Sequence, residues 1–195
     1  MSDEKMSAVR RRTKRIVQES FIRLLGEKPF HEITVRNLCE EADINRATFY
    51  RYYADLNALY DELSDDLFQH LFNDLATRSE QISVADRSAS RNLFRDALSI
   101  MKKNRLLCLN LLDKTNGPFA LRLRSSLEIL ITQKTGSRIP SEASLILDFI
   151  SGGLVASTHS WLSSGCIVEK DVFADILYNS CIPSFQRIDT IFRKL

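Results

Sequence analysis

Residues 34–59 read TVRNLCEEADINRATFYRYYADLNAL, and this stretch carries most of the information about the fold. Thr34 and Asn45 are residue types that cap helix N-termini, and each precedes a short segment with helical spacing of apolar residues. Segments 35–42 and 46–53 are therefore predicted to be helices joined by a tight turn. Two short capped helices in this order are typical of a helix-turn-helix.

The two faces of these short helices differ in chemistry. The apolar anchors expected in the core are Leu38, Ala42, Ile44 and Phe49. Away from them, the second helix presents hydrogen-bond donors, namely Arg46, Thr48, Tyr50, Arg51 and Tyr52. Such side chains bond to phosphates and base edges, and a helix of this width fits the major groove of DNA. The alternative is a small helical corner with surface aromatics, and the combination of caps, spacing and donors favours DNA binding.

The formal net charge of +2 is unevenly distributed. Residues 1–53 hold 11 Lys and Arg against 8 Asp and Glu, a net +3, whereas residues 54–80 sum to −6 and residues 81–195 to +5. The basic residues are densest from Arg10 to Arg15. A block of this kind is either a solvated tail or a patch that contacts phosphate, and the block alone does not distinguish the two.

The remainder of the chain is predicted to be helical. No segment alternates as a strand would, and there is neither Gly nor Pro between Pro29 and Gly117. We expect an all-α protein of about nine helices, with an N-terminal three-helix helix-turn-helix domain at 1–54 and a C-terminal helical regulatory and dimerisation domain at 55–195. Pro183 is expected to kink or split the last helix.

The run from Ile33 to Leu59 resembles the DNA-binding domain of TetR/AcrR-type bacterial transcriptional regulators. The resemblance rests on an Ile-Thr-Val start, a small residue before the turn, an Ala-Thr-Phe-Tyr core at 47–50, an aromatic pair, and Asp55 followed by Leu59. It implies that DNA contacts come from Thr34, Val35, Arg46, Ala47, Thr48, Tyr50, Arg51 and Tyr52, and we add Arg12 from the basic block. Leu56 departs from the pattern, because the family usually has a phosphate-binding Lys there.

The last two long helices are candidates for a dimer interface. One carries a stripe of small residues and the other an excess of apolar surface, and the interface residues we predict are Gly153, Ala156, Ser157, Ser160, Phe173, Ile176 and Leu177. Two helices from each of two chains would form a four-helix bundle. The alternative is that both helices cover the core of a single chain. The resemblance favours a homodimer, and its two-fold symmetry implies a palindromic operator.

The middle helices offer candidates for a ligand pocket. The apolar and aromatic residues expected to line it are Phe94, Leu98, Met101, Leu109, Phe119, Leu123, Leu127, Phe149 and Trp161. Its ligand would be apolar or amphipathic, because few charges fall on these faces; the alternative is an ordinary core. The function expected is therefore a DNA-binding repressor released by an effector. A regulator controlled by a partner protein, without a small ligand, is the alternative.

Catalytic, metal and membrane functions find no support in the sequence. The three histidines, His31, His70 and His159, are far apart, and the four cysteines form no CxxC pair. No apolar run is long enough to span a bilayer, and the N-terminus lacks the apolar stretch of a secretory signal. We therefore expect a cytoplasmic, non-enzymatic protein that needs neither cofactor nor metal.

Overall fold

A computed structural model describes residues 2–79, 87–112 and 118–193. Within these ranges the backbone is helical, as predicted, and contains no strand. The helices are α1 (Ser2–Glu27), α2 (Val35–Glu41), α3 (Arg46–Tyr50), α4 (Leu56–Ser79), α5 (Arg87–Lys103), α6 (Arg105–Leu112), α7 (Pro118–Thr135), α8 (Ser141–Ser163) and α9 (Lys170–Phe192). The chain divides into two compact units, residues 1–68 and 69–195.

The N-terminal unit is built around side chains that are completely buried. Its core contains Val17, Phe21, Leu38, Phe49 and Leu59, each 0% exposed. Burying residues of this size stabilises the unit by roughly 1.5–3 kcal/mol for each large side chain. The core therefore joins α1, both short helices and the start of α4.

The first half of α4 belongs to this unit, although the sequence placed the second domain from residue 55. Leu59, Leu63 and Leu67 are buried at helical spacing. The ring of Tyr60 stacks on Phe30 with centroids 5.0 Å apart. The apolar pattern of α4 continues along the helix without a break, so the sequence does not indicate where the N-terminal unit ends. The packing of the helix determines that boundary.

The C-terminal unit contains the end of α4 and the helices from α5 onward. α5 and α9 run antiparallel, and three polar contacts join them: Arg91 to Asp175, Arg95 to Asp171, and Lys170 Nζ to Ser99 Oγ at 2.8 Å. A separate buried cluster joins α7, α8 and α9 and comprises Leu127, Ala143, Leu147, Ile150, Cys181 and Ile188.

α9 continues through Pro183, so the split that was one of the two predicted outcomes does not occur. Pro183 lies on the exposed side of the helix, where water can bond to the carbonyl that a proline nitrogen leaves unpaired. The preceding α8 ends in a Schellman motif, with Gly165 at φ 76°. None of the described helices combines the length and apolarity needed to cross a membrane.

Candidate functional site

The helix-turn-helix is fixed by side-chain caps at both of its helices. Thr34 and Asn37 form a reciprocal capping box, in which the Asn37 backbone N–H donates to Thr34 Oγ1 at 3.1 Å. Asn45 caps α3, because its Oδ1 accepts from the Thr48 backbone N–H at 2.8 Å. Asp43 adopts φ 50° in the turn, a left-handed conformation that Asp tolerates better than most residues. The turn is therefore tight without a glycine.

The two faces of α3 separate as the sequence pattern indicates. Phe49 is fully buried and Leu38 and Ala42 are also buried, whereas Ile44 is half-buried. Tyr50 is 55% exposed. The remaining predicted DNA contacts of the motif are either exposed (Thr34, Arg46, Ala47, Arg51) or half-buried (Val35, Thr48, Tyr52). The face opposite the core is thus polar and accessible, and it carries two arginines.

Glu62 on α4 connects the elements that support α3. Its Oε1 accepts hydrogen bonds from Tyr53 Oη at 2.9 Å and from Gln18 Nε2 at 2.7 Å, and its Oε2 lies 2.7 Å from Lys14 Nζ. Burial, followed by the hydrogen bond to Glu62, raises the pKa of Tyr53 above its usual value and keeps the phenol protonated as the donor. The sequence analysis missed this cluster, since residues so far apart in the chain show no common pattern.

The basic block near the N-terminus does not act as one surface. Lys14 is paired with Glu62, and Arg15 lies 3.7 Å from Glu19 on the same helix. Arg10, Arg11 and Arg12 are exposed on α1. Within the basic block, these three arginines are therefore the side chains that remain accessible to an anion.

Leu56, the departure from the family pattern, is half-buried in the first turn of α4. Asp55 caps this helix, with its Oδ1 accepting from the Ala58 backbone N–H at 2.8 Å. The helix start is thus well formed, but residue 56 offers no side-chain donor.

The C-terminal unit contains a cavity of about 510 Å³. Six of the predicted residues line it, namely Phe94, Leu98, Met101, Phe119, Leu123 and Leu127. Four polar side chains also line it, and sequence periodicity did not single them out: Ser90, Gln133, Lys134 and Thr158. The volume lies within the range of roughly 300–1,000 Å³ typical of small-molecule sites.

Three predicted pocket residues do not line the cavity. Phe149 is 75% exposed on α8 and faces away from the core. Trp161 is buried, but its ring stacks on Phe173 and its Nε1 donates to the Val168 carbonyl at 2.8 Å, so it holds the α8–α9 connection. Leu109 is half-buried on α6, outside the lining.

The predicted dimer residues fall into two groups. Gly153, Ala156, Ser160 and Ile176 are exposed, and Ser157 is half-buried. Phe173 and Leu177, in contrast, are only 6% and 5% exposed, because they face the core of their own unit. α9 is apolar on both sides, and its sequence does not distinguish the inner side from the outer one.

A capped helix-turn-helix followed by a long helix and a separate helical unit defines a class of DNA-binding regulators. Residues 22–63 match the sequence model for bacterial regulatory proteins of the tetR family, and residues 88–182 match that for a transcriptional regulator C-terminal region. The chain belongs to the TetR family of bacterial transcriptional regulators.

Two solved structures share the fold. One is a TetR transcriptional regulator from Streptococcus agalactiae 2603V, with a TM-score of 0.64 and 21% identity, covering 92% of this chain and 98% of the other. The second is the dihydroxyacetone kinase operon activator DhaS, with a TM-score of 0.58 and 19% identity, covering 91% of this chain and 97% of the other. No curated protein matches the chain.

Proposed function

We propose that this regulator is a homodimeric repressor that binds a palindromic operator and is released by an apolar or amphipathic effector in its C-terminal unit. The observation that carries the DNA-binding part is the division of α3 into a buried Phe49 and an exposed face of donors. Arg46, Tyr50 and Arg51 would contact base edges and phosphates in the major groove. In a two-fold dimer, the two copies of α3 would lie about 34–36 Å apart.

Arg12 on α1 is proposed to contact phosphate. Replacing Arg12 with alanine is expected to lower affinity on every DNA sequence and to reduce the slope of log affinity against log salt by about one unit per lost contact. Fluorescence anisotropy at several salt concentrations measures this slope. Arg187→Ala, an exposed arginine of α9, is the matched control. An unchanged slope for the Arg12 variant would mean that this residue is only solvated.

The exposed side of α8 supports a dimer. Gly152 and Gly153 are adjacent on this helix, and a Cβ added to either would meet nothing within 4 Å in its own chain. Glycine costs a helix interior about 1 kcal/mol relative to alanine, so two exposed glycines are unfavourable for an isolated chain. A second chain that approaches closely would explain them. Leu145 and Phe149 extend the same side with exposed apolar surface.

Replacing Gly153 with glutamate is expected to convert the dimer to a monomer. A Cβ at this position meets nothing within 4 Å in its own chain and residue 153 is exposed, so a loss of assembly is expected to come from the neighbouring copy. Sedimentation velocity at micromolar concentration measures the change, and Ser125→Glu, at an exposed position of α7, serves as the control. Dimers that persist in the Gly153 variant would exclude this side of α8 from the interface.

The cavity supports the effector part of the proposal. An effector acts by binding one arrangement of the protein better than another, and coupling of about 1–3 kcal/mol changes DNA affinity by roughly 5–150-fold. α4 contributes Leu71 and Phe72 to the cavity wall and Leu59 to the core of the helix-turn-helix unit. This one helix is therefore the proposed carrier of the coupling.

Control by a partner protein is the second candidate. Ile167 is 81% exposed in the α8–α9 connection, and Val168 and Val172, which are close to it in the sequence, are also exposed. Aliphatic side chains grouped at a surface are typical of protein contacts. Loss of regulation in cells on Ile167→Asp, with effector binding in the purified protein unchanged, would favour this candidate.

Selection of bound DNA from a random pool is the experiment that tests the proposal. A palindrome with half-sites one helical turn apart is the expected product, and a pool without enrichment would exclude specific binding. Because DhaS is named an operon activator, transcription from the selected site must then be measured with and without the protein. A decrease in transcript supports a repressor, and an increase would overturn that part.

A further inference from the structure

We infer that the cavity takes an amphipathic anion, with its apolar body among the leucines and phenylalanines and its anionic head at Lys134. This inference rests on the proposed effector function and names the chemical class of the effector. It follows from the side chains that line the cavity and from where along their helices the polar ones lie.

The wall of the cavity favours an apolar ligand body. Leucine, isoleucine and phenylalanine side chains from α4, α5, α7 and α9 form most of it. Lys134 is the one charged side chain among the described lining residues, and no carboxylate lines the cavity there. A cationic ligand would therefore find no counter-charge and would meet Lys134 instead.

The polar side chains of the lining come from three helices. Ser90 lies in the first turn of α5, whereas Gln133 and Lys134 lie in the last turn of α7. Thr158 lies in the second half of α8. Gln133 and Lys134 are consecutive in the sequence, so an amide and an ammonium are available together at the end of α7.

Lys134 is free to serve a ligand, unlike three arginines of this unit. Arg91 pairs with Asp175, Arg95 with Asp171, and Arg124 with Asp148 and Glu128. Lys134, in contrast, forms no ion pair within the described residues, and it is exposed. An anionic head at this position keeps part of its hydration while the apolar body is buried, which avoids the cost of moving a charge into the interior.

Calorimetric titration of the full-length protein with three ten-carbon probes tests the inference. The probes are decanoate, decan-1-ol and decyltrimethylammonium, each below its micellar concentration at neutral pH. Decanoate is expected to bind most tightly and decyltrimethylammonium most weakly. Lys134→Gln is expected to weaken decanoate binding about five-fold, the scale of one solvent-accessible charge pair, and to leave decan-1-ol binding unchanged. Lys103→Gln, at an exposed position of α5 outside the lining, is the control.

Each outcome bears on one claim. Equal affinities for decanoate and decan-1-ol, or equal effects of the two lysine variants, would overturn the anionic class while leaving the cavity as an effector site. Absence of binding by all three probes would overturn the inference itself. Operator affinity measured in the same solutions tests the proposed function separately: saturable binding that depends on Lys134 but does not change operator affinity would support the ligand class and contradict effector-driven release.

Discussion

Replacing Tyr50 with alanine is expected to lower operator affinity by at least about 30-fold, since each of two protomers would lose a contact of the kind worth about 1–3 kcal/mol. Tyr50 is 55% exposed, and its ring lies edge-to-face with Phe49 at a centroid distance of 5.4 Å. The helix should therefore survive the substitution. Fluorescence anisotropy with the selected operator measures affinity, and far-ultraviolet circular dichroism measures helix content.

Two further variants sharpen the Tyr50 test. Tyr50→Phe retains the ring and removes the hydroxyl, so it separates a hydrogen bond to DNA from a packing contact. His31→Ala removes an exposed ring outside the helix-turn-helix and should leave affinity unchanged. Wild-type affinity in Tyr50→Ala would exclude this side chain from the interface and would require another face of the unit to bind DNA.

The helix-turn-helix could be predicted from sequence because local chemistry determines it. Threonine and asparagine side chains cap a helix by accepting a hydrogen bond from a backbone N–H of its first turn. Thr34 and Asn45 both form such a cap. The inward direction of Phe49 follows from spacing within a few residues. Such features need no knowledge of distant parts of the chain.

The C-terminal unit was harder to predict because its helices are apolar on more than one side. Phe149 and Phe173 are both aromatic residues on long helices, yet the first is exposed and the second stacks on Trp161. Periodicity identifies apolar sides but not their partners, which lie in helices far away in sequence. The cavity could not be predicted with certainty, because residues around an empty space and residues of a filled core have the same apolar sequence pattern. Lys134 lines the cavity from an exposed position, and its sequence pattern is that of an ordinary surface lysine.

Replacing Phe49 with alanine is expected to cost the N-terminal unit about 3–5 kcal/mol, the usual effect of removing a fully buried phenylalanine. Phe49 is 0% exposed and contacts the ring of Tyr53 at a centroid distance of 5.9 Å. Domains are typically stable by only about 5–15 kcal/mol, so this unit should unfold at a much lower temperature. Thermal unfolding followed by circular dichroism measures the shift, and the C-terminal unit, which has its own buried cluster, should retain its helix signal.

The contrast between Phe49 and Tyr50 tests the assignment of inner and outer faces, because the two residues are neighbours on one short helix. Phe49→Ala should lose both stability and DNA binding, whereas Tyr50→Ala should lose only DNA binding. Phe49→Leu retains most of the buried volume and should recover most of the stability, and with it operator affinity. Equal unfolding temperatures for the two alanine variants would contradict the burial of Phe49, and with it the orientation of α3 on which the proposed DNA contacts depend.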